Sequence, residues 1–322
     1  MTKEIILSGI QPTGKLHIGN YLGALKNFVE LQKANDCYFF IADYHSITEN
    51  YDSKTKPQQV IELAKDFLAA GLTPKKSVIF VQSHIPEHLE LAWIFSCLVP
   101  ISYLERMTQY KDKAARQKEN INAGLFTYPV LQAADILIYK TTSVPVGQDQ
   151  DQHLELTREI VRLFNNRFGQ TFILPKTLHT PSPKIMSLLE PSKKMSKSLG
   201  EAHCLYLDDK PEIIRQKLAK AVTDTGDGKS QGAKNLLDLV EIFSPKKTFA
   251  KFSRDAKTGT LKYSELKQRL AEDIIQYFAD FRQKKSQISD EQVKKILAIG
   301  AKKAKKITEK TLTEVRKKIG IS

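Results

Sequence analysis

Over the first two hundred residues, short apolar runs alternate with longer stretches of helical period. Residues 4–7, 37–42 and 77–81 are mostly apolar and 4–6 residues long, the pattern of strands covered on both faces. Between them, residues 18–34 and 57–70 carry apolar positions at helical spacing, the second closed by Gly71. Residues 91–98, 103–118 and 150–168 read as further helices, with Gly169 ending the last. Strand–helix–strand alternation predicts an α/β fold with a parallel sheet covered by helices on both faces. Residues 174–198, rich in Pro, Ser and Lys, read as a long loop. Beyond Pro211 the pattern is helical, broken at 225–232 and around 257–259. A boundary near Gly200 is therefore expected, with an α/β domain over 1–200 and a smaller all-helical domain over 201–322.

With 322 residues and 41% hydrophobic content, the chain has material for a sizeable core and is far from the composition of disorder. No apolar run is long enough to span a bilayer, and the first ten residues lack a signal-peptide core. Cys37, Cys97 and Cys204 lie far apart, with neither metal spacing nor an even count, which suits a reducing, cytoplasmic setting. The net charge is +14, and residues 281–322 hold 13 Lys/Arg against 4 Asp/Glu, so most of the excess lies at the end of the chain. Lysine pairs such as Lys294/Lys295, Lys302/Lys303 and Lys305/Lys306 recur along a helical pattern. Either a solvated helical face or a footprint for a polyanion such as nucleic acid accounts for them.

Two segments bear chemistry. The first, from Ser8 to Gly23, follows the first strand and contains Gln11-Pro12-Thr13-Gly14 and His17-Ile18-Gly19-Asn20. In an open α/β sheet, ligands sit at the carboxyl ends of strands, where glycines allow close backbone approach and helix starts attract phosphate. The spacing matches neither a Walker loop nor a dinucleotide fingerprint. The second, Lys193-Lys194-Met195-Ser196-Lys197-Ser198, is a cationic loop suited to neutralising a leaving pyrophosphate. Taken singly, the first reads as an ordinary turn and the second as a solvated linker.

Together, the two segments resemble the paired signatures of class I aminoacyl-tRNA synthetases. Glu105-Arg106-Met107-Thr108-Gln109, the block from Tyr128 to Leu137, and Pro145-Val146-Gly147-Gln148-Asp149-Gln150 followed by His153 to Arg158 narrow the resemblance to the tryptophanyl-tRNA synthetase family. It covers residues 5–200 almost continuously. It implies a Rossmann-like catalytic domain followed by a smaller all-helical domain, activation of tryptophan by ATP with Mg²⁺, transfer to the terminal adenosine of tRNA(Trp), a homodimer built through helices around 92–118, and anticodon contact by the helical domain. ATP would lie over Gln11, Pro12, Thr13, Gly19 and Asn20, with Gly147, Gln148 and Asp149 at the ribose and Ile185 near the adenine. His17 would meet the phosphates, and Lys111, Lys194 and Lys197 would converge on them, the last two from the loop that also carries Met195, Ser196 and Ser198.

For the amino acid, the resemblance assigns Asp135 as acceptor of the indole N–H. A buried acceptor left unpaired by phenylalanine is costly, so polar recognition discriminates strongly. Tyr128, Val144, Val146, Gln150 and His45 would complete the pocket. Gln132 and Leu7 depart from the methionine and phenylalanine common in bacterial members, and both touch that pocket. His84, His88, His179 and His203 have no ligand spacing and read as structural. Three scattered cysteines argue against the four-cysteine iron–sulfur cluster of another branch. The competing readings are a tyrosyl-tRNA synthetase, against which the Tyr128–Gln150 block speaks, a small nucleotidyltransferase, normally much shorter, and a non-catalytic RNA-binding relative, which would not need His17, Lys194 and Lys197 together.

Overall fold

The computed structural model describes residues 3–107, 121–147, 150–180, 183–224 and 230–321. The chain divides into two compact units that interleave in sequence. The first comprises Met1–Gly14, Lys26–Pro181 and Ile288–Ser322, and the second Lys15–Leu25 and Ser182–Gln287.

Among the described residues the first unit is built on five strands: β1 (Ile5–Ile10), β2 (Asp36–Ile41), β3 (Ser77–Val81), β4 (Ser143–Val146) and β5 (Lys176–His179). Their order is β3-β2-β1-β4-β5 and all neighbours are parallel, with Ile6 opposite both Cys37 and Ser143. Chain order reverses between β1 and β4, so the crevice at their carboxyl ends is where such a sheet takes ligands. One face packs Phe28, Phe39 and Phe67, with the rings of Phe28 and Phe39 stacked at 4.5 Å. The other packs Phe40, Phe80, Phe95 and the apolar residues of the helix Ala123–Ile138. That helix buries every residue from Ala133 to Ile138, the signature of a helix inside the core rather than on its surface.

The last helix, Asp290–Ile319, belongs to this sheet unit. It buries Val293, Leu297, Ala304, Leu312 and Val315, and Gly300 brings its backbone against the edge strand β3. Lys65–Asp290 (2.7 Å), Lys140–Glu314 (2.8 Å) and the paired Arg316–Glu90 contact tie it along its length. A single cut near Gly200, with everything after it in one helical domain, therefore does not describe the compact units. The stripe that carries the lysines outward carries an apolar face inward, and that face covers a sheet edge that would otherwise present unpaired backbone groups.

The second unit is helical: Pro211–Ala219, Gln231–Phe243, Lys246–Thr258, Tyr263–Tyr277 and Ala279–Gln287. Leu218, Leu239, Phe243, Leu270, Ile274 and Phe278 form its interior, with the Tyr21 ring edge-on to Phe278 at 5.1 Å. Gly259 closes its helix in the left-handed conformation at φ 71°, accounting for the expected break there.

Other expectations are modified. The helix over 18–34 runs as Ile18–Asn20, a π-helical stretch Tyr21–Leu25, and Lys26–Leu31. Of 103–118, Ile101–Glu105 is helical and residues 108–118 lie outside the described residues. The loop over 174–198 contains strand β5, whose sequence KTLH is too short and polar to announce itself.

Candidate active site

In the first unit the candidate side chains gather around Asp135, which is 1% exposed. The helix that carries it starts at Asn122, whose side chain caps Leu125 N at 2.9 Å. Three donors converge on the carboxylate. His45, in the turn after β2, brings Nε2 to 2.7 Å from Oδ2. Gln82, immediately after β3, points Nε2 at both oxygens, at 2.8 and 3.0 Å. His88, near the start of the helix Glu87–Ser96, brings Nδ1 to 2.5 Å from Oδ1. Asp43 holds the two strand ends in register by accepting from Ser83 N at 3.0 Å and Tyr44 N at 3.1 Å. Burial by itself would push the Asp135 carboxyl up, but the charge and hydrogen bond of His45, joined by those of His88, outweigh it and hold the group below the usual carboxylate range.

A carboxylate offers about four acceptor positions. Three donor groups make four contacts with Asp135, two on each oxygen, and the one Gln82 nitrogen shared between both oxygens is the contact that can yield to a ligand N–H. Tyr128 stands beside His45, ring to ring at 6.4 Å, and its hydroxyl meets His153 Nε2 at 2.8 Å. Leu7 on β1 and Val144 on β4 are buried, while Val146, Gln132 and Gln150 are half-buried. The loop after β1 is also pinned: Lys56 Nζ donates to the Pro12 carbonyl at 3.2 Å and to Ser46 Oγ at 3.0 Å. Gln11 is half-buried there and Thr13 exposed, its N–H bonded to the Gln11 carbonyl at 2.9 Å.

The second unit holds a separate cluster around His17. The backbone on either side of this residue pairs antiparallel with the Leu205–Leu207 segment, Ile18 N to Leu205 O at 2.9 Å and Leu207 N to Leu16 O at 3.0 Å. His17 caps the turn that follows: Nδ1 accepts from Gly19 N at 3.1 Å, and Asn20 Oδ1 accepts from His17 N at 3.1 Å. Since Nδ1 is an acceptor, the ring proton sits on Nε2, which makes that nitrogen a donor. Burial, then the charges of Lys197 and Lys194, push the His17 pKa down to about 4, so at neutral pH the ring is an uncharged donor beside two cations. Gly19 is required here, because a Cβ on it would stand 2.9 Å from His17 Cε1. The lysine loop is anchored by Met195, which is buried and donates its N–H to the Ile185 carbonyl at 2.9 Å. Lys194 is exposed, Lys197 half-buried, and the Ser196 and Ser198 hydroxyls meet at 2.9 Å.

Each unit thus assembles part of the expected set: Asp135, His45 and Tyr128 in the first, and His17, Gly19, Asn20, Ile185 and the lysine loop in the second. Gly147 is described, its carbonyl accepting from Gln150 N at 3.0 Å, whereas Lys111, Gln148 and Asp149 lie outside the described residues. Sequence reasoning passed over Gln82 and placed His88 among the merely structural histidines. Neither stands in a spacing that announces chemistry; their shared signal is position, just past the end of a strand.

The chain matches the family model described as class I tRNA synthetases (W and Y) over residues 2–279. The tryptophan–tRNA ligase of Caldanaerobacter subterraneus subsp. tengcongensis is 43% identical, with 98% of each chain covered. That of Helicobacter pylori (strain 26695) is 41% identical over the whole of both. Among solved structures, the Campylobacter jejuni tryptophanyl-tRNA synthetase complexed with ADP and tryptophan superposes with a TM-score of 0.88 at 35% identity, covering 98% of this chain and 100% of that one. The Mycoplasma pneumoniae tryptophanyl-tRNA synthetase gives 0.86 at 33% identity, covering 100% of this chain and 99% of its own. With its doubly wound sheet, its buried acceptor and its capped histidine beside a lysine loop, the chain belongs to the class I tRNA synthetases of the tryptophan and tyrosine family.

Proposed function

We infer that the chain is a tryptophan–tRNA ligase, and the observation that carries the choice of amino acid is the buried, ionised Asp135. Tryptophan offers it the indole N–H; phenylalanine offers nothing and would leave a desolvated carboxylate short of a partner. Tyr128, His45, Gln150, Val144, Val146, Leu7 and Gln132 form the rest of this pocket.

ATP enters with its Mg²⁺ as substrate. The tryptophan carboxylate attacks the α-phosphorus, the bond to the β-phosphate breaks, and pyrophosphate leaves, giving tryptophanyl-adenylate. A terminal ribose hydroxyl of tRNA(Trp) then attacks the activated carbonyl and AMP departs. The protein's task is positioning and charge neutralisation. His17 Nε2 donates to phosphate oxygen, and Lys194 and Lys197 meet the charge that builds on the leaving pyrophosphate, with Lys111 as a further cation. Gly19 and Asn20 hold the phosphate end. Gln11, Pro12, Thr13, Gly147, Gln148 and Asp149 hold the nucleoside, Ile185 takes the adenine, and Met195, Ser196 and Ser198 shape the lysine loop.

The enzyme works as a homodimer through the helices that follow β3, where Leu89, Trp93 and Ile101 are exposed, Trp93 to 72%. The helical unit contacts the tRNA anticodon. No helix among the described residues is long and apolar enough to cross a membrane, and the three cysteines are free, which supports a cytoplasmic setting.

Amino-acid-dependent ATP–pyrophosphate exchange tests the reading, with tryptophan, tyrosine and phenylalanine compared and Asp135→Ala alongside. Tryptophan should drive exchange in the wild type, and the variant should lose it or lose its preference. Exchange driven by tyrosine would refute the pocket assignment, and no exchange with any amino acid would refute the enzyme.

A further inference from the structure

Asp135 does not stand alone at the end of its pocket. Beyond His88, a second buried hydroxyl continues the chain of contacts: His88 Nε2 lies 2.8 Å from the Tyr139 hydroxyl, one helical turn beyond Asp135. His88 and Gln82 are completely buried and Tyr139 is 2% exposed. Since an ionised carboxylate only accepts, His88 must present Nδ1–H to Asp135, and the Tyr139 hydroxyl at Nε2 fixes the ring from behind. The aromatic rings of Phe40 and Phe80 flank His88, with centroids at 6.2 Å, and leave it no polar alternative on those sides.

Gln82 makes the same point in a different way. Its nitrogen is shared between both Asp135 oxygens, while its own Oε1 is buried with no hydrogen-bond partner among the described residues. A buried amide oxygen left unpaired costs stability. The amide cannot turn to satisfy it without setting two acceptors against each other at Asp135. Both oxygens of the carboxylate are therefore gripped from the side of β3 and the helix after it.

We propose that His88, braced by Tyr139, and Gln82 are positioning residues for tryptophan selection, holding the Asp135 carboxylate in the one orientation that presents an oxygen to the indole N–H. This rests on the ligase reading above. It assigns the preference for an N–H-bearing ring to four side chains rather than one, and distinguishes their work from that of the residues that handle ATP.

The test uses the full-length enzyme and two amino acids of nearly equal shape, L-tryptophan and 3-(benzothienyl)-L-alanine, in which sulfur replaces the indole N–H. KM and kcat in ATP–pyrophosphate exchange are measured for each in the wild type, His88→Ala, His88→Asn and Gln82→Met. In His88→Ala the KM for tryptophan should rise about tenfold or more, as expected for losing a charge-assisted hydrogen bond. The KM for the sulfur analogue and the KM for ATP should scarcely move. His88→Asn, whose amide N–H can stand near the place of Nδ1, should recover most of the loss. Equal losses for the two amino acids in His88→Ala would make His88 a packing residue and overturn the proposal. Should that variant fail to fold, Gln82→Met, close in volume, carries the same comparison with the same two outcomes. A wild type that shows no tryptophan-dependent exchange would instead overturn the ligase reading, and is distinguished by failing before any variant is compared.

Discussion

Gly300 lies directly against the backbone of Ile79: a Cβ built on the glycine would stand 1.8 Å from the Ile79 carbonyl oxygen and 2.7 Å from its carbon. The contact joins the last helix of the chain to the edge strand β3, whose next residues lead to Gln82. No flexible side-chain tip is involved, so neither partner has room to yield. Gly300→Ala should therefore destabilise the first unit by about 1–3 kcal/mol, the usual cost of overpacking, despite alanine's better helix propensity. Denaturant unfolding of the two proteins checks this, and a neutral or stabilising effect would show that the helix sits further from the strand.

That contact also marks where sequence reading stops. The first three strands announce themselves because strands of a parallel sheet covered on both faces are mostly apolar, as in Cys37–Ile41. Strand β5, Lys176–His179, has a single neighbour and half-exposed residues, so its composition is that of a loop. The last helix was legible as a helix, but its docking was not: Val293, Leu297, Ala304 and Val315 show an apolar stripe without saying which surface it covers. The site divides in the same way. His17, Lys194 and Lys197 belong to recognisable segments, whereas Gln82 and His88 acquire their role only from three-dimensional proximity to a carboxylate some fifty residues away in sequence.

The depressed pKa of His17 has a consequence for stability. Its folded value, about 4, lies below the ordinary 6.5, so the unfolded chain takes up a proton first as pH falls. The stability contributed by the neutral ring is complete above pH 6.5 and is lost progressively between 6.5 and 4. From pH 7 to pH 5 this amounts to about 2 kcal/mol. His17→Asn keeps an acceptor for the Gly19 N–H but has no proton to gain, and its unfolding free energy should fall less over that interval. Parallel urea titrations at the two pH values measure the difference; identical slopes would mean that His17 titrates normally.

Gly19→Ala should act on the phosphate end without touching amino-acid recognition. The new methyl would stand 2.9 Å from His17 Cε1, so the ring must turn away from the Gly19 N–H it now caps. A displaced donor loses its advantage in the transition state, for which about a hundredfold in kcat is a reasonable scale. Pyrophosphate exchange should thus slow sharply, while tryptophan binding measured calorimetrically without ATP stays within about twofold. Equal damage to both would place Gly19 in general folding instead.

The basic surface predicts a strong salt dependence. Lys294, Lys295, Lys302, Lys303, Lys305, Lys306 and Lys310 are exposed along the last helix, with Glu309 the one exposed carboxylate between Lys294 and Lys310. A tRNA held through several phosphate contacts releases counterions, so its affinity should drop by about a hundredfold or more between 50 and 200 mM salt. Filter binding of tRNA(Trp) across that range checks it. A flat response would mean that lysine on this protein serves solubility alone.

Trp93 is the single tryptophan in the sequence and is 72% exposed in the isolated chain, with Ile101 at 66% on the following helix. A monomer gains nothing by presenting two large apolar side chains on consecutive helices, whereas a symmetric partner would bury both. Assembly should therefore move Trp93 from water into an apolar contact. Its fluorescence, recorded without added amino acid, should lie at short wavelength at micromolar concentration and shift to long wavelength on dilution, in step with the fall in mass seen by sedimentation. Trp93→Glu should dissociate the dimer outright, since a carboxylate would have to be buried against its own copy. An emission maximum that ignores dilution while the mass halves would move the interface elsewhere. A mass that stays that of one chain at every concentration would remove the dimer from the proposed function.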